Sequence, residues 1–107
     1  MNTRFSIVYI TAENIDEAKK IGRKLVDGNH VACANIFPIT SIFKWKGKIE
    51  EANEFGIILK TRSDHIKKID AIVKEIHSYE IPCVVSFYID EGSAEYLKWI
   101  NESVDEL

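Results

Sequence analysis

The sequence predicts a small α+β domain with one antiparallel sheet and three helices, and three observations lead to this fold class. Short runs rich in β-branched and aromatic residues recur along the chain, as is typical of strands. Longer segments with apolar residues at helical spacing separate them. The resulting order is β-α-β-β-α-β followed by one more helix. That order is the split β-α-β, or ferredoxin-like, arrangement, and we expect residues 1–107 to form a single domain.

A change of hydrophobic period marks the first strand and the first helix. Phe5 to Thr11 (FSIVYIT) has the composition of a buried strand and is bounded by polar positions. Asn14 is a suitable N-cap with Glu17 three residues later, and apolar residues then follow helical spacing. Gly28 and Asn29 predict the end of this helix, because both residue types suit a C-terminal cap.

A long hairpin is predicted next. Val31 to Phe43 is an extended segment, and Pro38 within it indicates a bent edge strand, because proline has no N–H to donate to a neighbouring strand. Lys46-Gly47 predicts a tight turn, since glycine permits a positive φ. The third strand then returns through Glu54 to Thr61.

The remaining elements are a helix, a strand and a final helix. Ser63 is predicted to cap a helix that ends at Ile76, and the connector His77–Pro82 leads to a strand at Cys83–Ile89. Gly92-Ser93 opens the last helix. In the usual 4-1-3-2 strand order, the second and fourth strands lie at opposite edges and the helices cover one face. We therefore expect edge-to-edge assembly of copies to protect the apolar edges.

Composition excludes several classes of protein. The chain has 17 acidic and 14 basic residues, a net charge of −3, so we expect no nucleic-acid partner. An RNA-recognition module shares the element order, but the third strand offers only Phe55 as an aromatic, beside the acidic Glu54. No uncharged stretch reaches the roughly 20 residues that span a bilayer. Two cysteines, Cys33 and Cys83, are too few for a secreted disulfide framework, and we expect a cytoplasmic protein with no membrane partner and no intrachain disulfide.

The residues that carry chemistry favour metal binding over catalysis. Dinucleotide, phosphate-loop, nucleophile-elbow and zinc-protease motifs are absent from the sequence, and we expect no enzymatic activity. Cys33, Cys83 and His77 are soft or borderline ligands that suit copper(I) or zinc. The alternative is that both cysteines are small buried apolar residues and that His77 hydrogen-bonds to backbone. His30 and His65 are expected at the surface.

Several segments, taken together and in order, resemble the CutA divalent-cation-tolerance family. The strand cysteine, the aromatic hairpin tip and the H-x-Y-E-x-P connector carry the resemblance, which covers nearly the whole chain. The matching segments are Val8–Thr11, Val31–Ile36, Ser41–Ile49, Leu59–Thr61, His77–Pro82 and Glu95–Ile100. The resemblance implies a ferredoxin-like subunit in a tight homotrimer, akin to the PII signalling proteins, with a non-enzymatic role in tolerance of copper and other divalent metal ions.

The resemblance also implies which residues bind. Cys33 and His77 match the positions usually put forward as copper ligands, and no further cofactor is required. Ser78 departs from the family's proline, and Cys83 stands where a glutamate is common. An alternative is a PII-like regulator that binds a small anionic metabolite, with charge from Lys60 or Arg62. The residues expected around clefts between subunits are Trp45, Lys60, Tyr79, Glu80, Pro82 and Cys83.

Overall fold

The computed structural model describes residues 3–107, and its elements follow the predicted order. It contains four strands, three α-helices and a single 3₁₀ turn at Ser63–His65 within that range. The elements are β1 (Phe5–Ala12), α1 (Ile15–Asp27), β2 (Cys33–Trp45), β3 (Lys48–Arg62), α2 (Ile66–Ile76), β4 (Val84–Tyr88) and α3 (Ala94–Ser103).

The four strands form one antiparallel sheet in the order β2-β3-β1-β4, which confirms the predicted order and the α+β, ferredoxin-like class. β2 and β4 are therefore the two edges. Residues that face each other across the ladders share a face, so Val8, Leu59 and Ala34 lie on one side of the sheet. Ile7, Lys60 and Cys33 occupy the other.

α1 and α2 cover the first of these faces and enclose the core. β1 alternates between partly exposed and fully buried residues, the pattern of a strand with one covered face. The core is built from the aliphatic side chains of β1, β3 and the two helices. Its fully buried members include Val8, Ile10, Ile21, Leu25, Ile57, Leu59, Ile69 and Val73.

The β2–β3 hairpin projects beyond the rest of the sheet. Its ladder runs without a bulge from Cys33↔Lys60 to Trp45↔Lys48, whereas β1 pairs with β3 only as far as Phe55. The molecule is accordingly elongated, with extents of 46, 25 and 21 Å along its three principal axes. Lys46 (φ 52°) and Gly47 (φ 81°) both adopt positive φ, as a two-residue type I′ turn requires.

Two sequence-based details differ in the structure. β3 begins at Lys48, well before Glu54, because pairing with β2 continues to the hairpin turn. Ser63 does not cap α2: its hydroxyl lies 2.6 Å from that of Ser6, and α2 begins at Ile66 after the 3₁₀ turn. The end of α1 agrees with the prediction, since Gly28 is its C-cap and Asn29 takes the left-handed conformation, with φ 58°.

The second sheet face, opposite α1 and α2, is called the open face. Its central residues are apolar or aromatic and are at least partly exposed: Ile7, Tyr9, Phe37, Ile58, Val85 and Phe87. α3 packs over one end of it, where Ile100 is fully buried and Arg62 is 4% exposed. No helix within residues 3–107 is both long enough and apolar enough to cross a membrane.

Candidate functional site

The connector, residues 77–82, is held against the end of the sheet where β1 finishes. His77 is the anchor, and its side chain is fully buried. Its Nε2 lies 2.7 Å from the carbonyl oxygen of Thr11, and its Nδ1 accepts a 3.0 Å hydrogen bond from the Tyr79 amide. Because Nδ1 accepts and Nε2 donates, these bonds select the neutral tautomer with its proton on Nε2.

This arrangement bears directly on His77 as a metal ligand. A histidine that binds a metal ion uses the lone pair of one ring nitrogen and commonly donates the other N–H to a backbone or carboxylate oxygen. In His77 the only lone pair, on Nδ1, already accepts the Tyr79 N–H bond. Coordination through His77 therefore requires that this bond be broken.

Glu17 fixes the other side of the connector. Its Oε2 accepts a 2.8 Å bond from the Ser78 amide, and its Oε1 accepts bonds from the Ser78 hydroxyl and the Glu13 amide, each 3.0 Å. Burial alone would raise the pKa of Glu17, but these hydrogen bonds outweigh it and leave the pKa below its ordinary value of 4.5. Ser78 thus supplies two of the bonds that hold the connector to α1.

Tyr79 reaches from the connector to β3. Its hydroxyl donates a 2.6 Å bond to Oε1 of Glu54, which is only 7% exposed. Burial and this bond raise the pKa of Tyr79 well above its ordinary value. Burial and the nearby Glu54 also raise the pKa of the Cys83 thiol. Burial, together with Cys83 and Glu54, raises the pKa of Tyr9. The result is a cluster of groups that remain protonated around one acidic side chain.

The tip of the projecting hairpin contacts the connector. Lys46 Nζ lies 3.9 Å from a carboxylate oxygen of Glu80 and 5.6 Å from the centre of the Trp45 ring. Trp45 is 36% exposed, and both members of the ion pair are largely exposed, so the pair contributes little to stability. Four of the residues expected around a cleft between subunits therefore share this end of one chain: Trp45, Tyr79, Glu80 and Cys83.

Cys33 and Lys60 lie at the other end, under α3. They face each other across the β2–β3 ladder. The Cys33 sulfur makes only long contacts, 3.7 Å to the Tyr96 hydroxyl and 3.9 Å to Oδ1 of Asn35. Lys60 Nζ is 5.5 Å from the centre of the Tyr96 ring. Cys33 and Cys83 are both partly exposed and are both free thiols in the structure.

The structure does not bring Cys33 and His77 together within one chain. Cys33 on β2 and Ile7 on β1 both face Lys60 of β3, so they are two strand spacings apart. His77 binds Thr11, which is four residues farther along β1 than Ile7. At about 4.8 Å per strand and about 3.3 Å per residue, the two side chains are on the order of 16 Å apart. No group of three or more His, Cys, Asp or Glu side chains in residues 3–107 is arranged to hold a metal ion. A site that contains both residues needs a second copy of the chain.

Sequence reasoning placed one histidine wrongly and missed two polar partners. His65 was expected at the surface but is 1% exposed, whereas His30 is partly exposed, with only its Nδ1 atom buried. Arg62, considered as an anion ligand, is instead bonded to Asn101, Val104 and Asp105. The sequence did contain one signal for Glu54, because an acidic residue directly before an apolar strand segment can be buried with it. Glu17 was recognised as a capping residue only.

Comparison with known proteins agrees with the resemblance in the sequence. A family model described as CutA1 divalent ion tolerance protein matches residues 6–103. The divalent-cation tolerance protein CutA of Archaeoglobus fulgidus is 45% identical to this chain, over 94% of this chain and 98% of its own length. The protein of the same name from Pyrococcus horikoshii is 38% identical, over 90% and 94%.

Solved structures show the same architecture. The Archaeoglobus fulgidus structure, named a periplasmic divalent cation tolerance protein, superposes with a TM-score of 0.93 at 44% identity and covers 94% of this chain and 99% of its own. The structure of CutA1 from Oryza sativa gives a TM-score of 0.94 at 31% identity, with 97% and 96% covered. Since one similar protein is named periplasmic, a cytoplasmic location stays a prediction for this chain.

Proposed function

This chain belongs to the CutA1 divalent ion tolerance family, and from that premise we propose that it is a homotrimer that binds copper or another soft metal ion at a boundary between subunits. The proposal assigns the chain a binding role and no catalytic one. The observation that carries it is an apolar open face bounded by two edge strands, β2 and β4, each paired along one side only, with a partly exposed cysteine at the start of β2.

The exposed residues of β4 support assembly. Val85, Phe87 and Tyr88 are 48%, 56% and 65% exposed, although they belong to one short strand. An edge strand of this kind invites pairing with another chain. In the order β2-β3-β1-β4, β2 and β4 run in opposite directions, so the β2 edge of one copy can pair antiparallel with the β4 edge of the next and close a ring.

The surroundings of Cys33 support metal binding there. Its sulfur has only long contacts to Tyr96 and Asn35, so little must be broken before the thiolate binds a metal ion. Thiolate is a soft ligand that selects copper(I) or zinc over magnesium or calcium. His77 of a neighbouring subunit joins this site only after it releases the Tyr79 amide. We therefore assign Cys33 as the main metal ligand. His77 is a conditional ligand, because it binds metal only when its bond to the Tyr79 amide is broken.

A second candidate function is the binding of a small anionic metabolite in the same cleft. Lys60 favours it, because this ammonium lies on the open face beside Cys33 and against the Tyr96 ring. Arg62 does not take part, since its guanidinium is buried and bonded to the C-terminal segment. Thermal-shift assays with copper(I), zinc and inorganic phosphate separate the two candidates, because only a ligand of the native state raises the melting temperature.

Assembly is tested by light scattering on the intact chain and on a matched pair of variants. We expect about three times the 12.3 kDa subunit mass for the parent. Phe87→Glu places a charge on the open face and should give monomers, whereas Val26→Glu, on the partly exposed side of α1, should leave the trimer intact. A parent protein that is monomeric at micromolar concentration contradicts the trimer and the site at its boundary.

A further inference from the structure

Two histidines that the proposed metal site does not use face each other beneath the C-terminal segment. The ring centres of His30 and His65 are 5.9 Å apart. His65 is 1% exposed, and the Nδ1 atoms of both rings are buried without a hydrogen-bond partner among residues 3–107. Buried polar atoms are paired in the great majority of cases, so two unpaired imidazole nitrogens side by side call for an explanation.

The C-terminal segment is held by the same part of the chain. The carbonyl oxygen of Asp105 lies 2.6 Å from Nε2 of His65 and accepts a 2.8 Å bond from Arg62 Nη2. Arg62 Nη1 also donates to the Val104 carbonyl at 3.0 Å, and the Asp105 amide donates to the Asn29 carbonyl at 2.9 Å. His65 and Arg62 thus fasten the last residues after α3 to the sheet.

These contacts fix which form of His65 the fold accepts. A carbonyl oxygen only accepts hydrogen bonds, so Nε2 of His65 must carry a proton to bind Asp105. In the neutral ring Nδ1 then has a lone pair, and a lone pair without a partner is tolerated. Protonation puts an N–H and a positive charge at Nδ1, where the structure provides no acceptor.

The charges around the pair also oppose protonation. Burial lowers the pKa of His30, and the ammonium of Lys68, the ring of His65 and the ammonium of Lys24 lower it further. The carboxylate of Asp105 acts in the opposite direction but does not compensate. The buried guanidinium of Arg62 shares the Asp105 carbonyl with His65, and its Nε lies 3.3 Å from the exposed carboxylate of Asp64. The native packing therefore favours two neutral rings.

The bound segment is one of the attachments of α3. The helix ends at Ser103, directly before the bound residues, and its other end carries Tyr96 against Cys33 and Lys60. Loss of the contacts at Val104 and Asp105 removes two of the bonds that hold this end of α3 to β3 and leaves the bond of Arg62 to Asn101 and the buried Ile100. Release of α3 would uncover the open face beside Cys33.

We infer that His30 and His65 form an acid-sensitive clasp that holds the C-terminal segment and α3 on the sheet when both rings are neutral and releases them when they are protonated. Histidine is the side chain whose charge changes most readily between neutral and mildly acidic pH, so release is expected on mild acidification. All the residues of the clasp belong to one chain, and the inference therefore stands independently of the proposed metal site.

Hydrogen exchange measured by mass spectrometry tests the clasp in the intact chain. We expect amide exchange in residues 94–107, corrected for the intrinsic effect of pH, to rise at least about tenfold between pH 7.5 and 5, while β1 and β3 stay protected. The same exchange at both pH values overturns the inference. The measurement is repeated with excess EDTA, because a transition that depends on the chelator would indicate a bound cation and contradict a purely protonic clasp.

A variant with one remaining histidine assigns the effect. The chain has three histidines, so His30→Gln/His65→Gln leaves only His77. The glutamine at position 65 keeps an N–H that can reach the Asp105 carbonyl. We expect less than about a twofold change in exchange with pH in this variant, and a retained tenfold rise would assign the effect to His77 or to carboxylates. If the double variant does not fold, NMR titration of the parent decides: His30 and His65 must titrate together with the release, and rings that titrate without it contradict the clasp.

Discussion

The Tyr79 hydroxyl donates a 2.6 Å hydrogen bond to Oε1 of Glu54 and so joins the connector to the third strand. His77 binds Thr11 and the Tyr79 amide, and Glu17 binds Ser78, so the connector is tied to β1, β3 and α1 at once. This network, and not a preformed metal cluster, is what the connector motif builds within a single chain. Its members offer direct tests.

Removal of the Tyr79 hydroxyl should destabilise the fold. A hydrogen bond to a charged group contributes about 1.5 to 3 kcal/mol, and Tyr79→Phe leaves the Glu54 carboxylate, which is 7% exposed, without this donor. We expect a loss of that size in urea unfolding at fixed protein concentration. Glu75→Gln is the control, since Glu75 is exposed on α2, away from the proposed subunit contacts, and it should change stability by less than about 0.5 kcal/mol. Equal losses in the two variants would argue against the bond.

Glu17 should make stability depend on pH in the acid range. Its pKa in the folded chain lies below the ordinary 4.5, so below about pH 4.5 the unfolded chain takes up the proton first. The stabilisation is therefore complete above that pH and is lost as the pH falls through the folded-state pKa. Glu17→Gln should flatten the acid limb of a stability profile measured by chemical denaturation. The exposed Glu75→Gln should leave it unchanged, and an unaltered limb in Glu17→Gln would contradict the role of the carboxylate.

The Cys83 thiol should react slowly at neutral pH. Burial and the nearby Glu54 raise its pKa, and the thiolate is the nucleophile. In a Cys33→Ser background, we expect alkylation of Cys83 by iodoacetamide to be slower than that of glutathione at pH 7.5. Glu54→Gln should accelerate it. If Cys83 in the folded chain is alkylated as fast as glutathione, neither burial nor the Glu54 carboxylate raises the pKa of its thiol.

Local patterns predicted the fold well because they depend on neighbours in sequence. The cap at Asn14, the turn at Lys46-Gly47 and the edge position of Pro38 each follow from the chemistry of one or two residues. The start of β3 was placed too late because its first residues, from Lys48, are paired only with β2 and are mostly exposed. Their strand conformation comes from the partner strand and not from their own burial.

The site was predicted less completely because its contacts are distant in sequence. The bond from Tyr79 to Glu54 spans 25 positions, and that from His65 to Asp105 spans 40. A pattern around His65 or His30 alone favours a surface residue, since the segment that buries His65 comes from the opposite end of the chain. The sequence likewise grouped Cys33 with His77, although the topology places them at opposite ends of the sheet.

The affinity of the trimer for copper(I), measured by competition with a chromogenic chelator, tests the proposed function most directly. Cys33→Ser should weaken binding at least about tenfold, equivalent to about 1.4 kcal/mol, while Cys83→Ser should change it by less than about threefold. His77→Gln, which keeps a donor for the Thr11 carbonyl, shows whether the conditional ligand takes part. An unchanged affinity in Cys33→Ser, with the trimer intact, would contradict the assignment of Cys33 as the metal ligand.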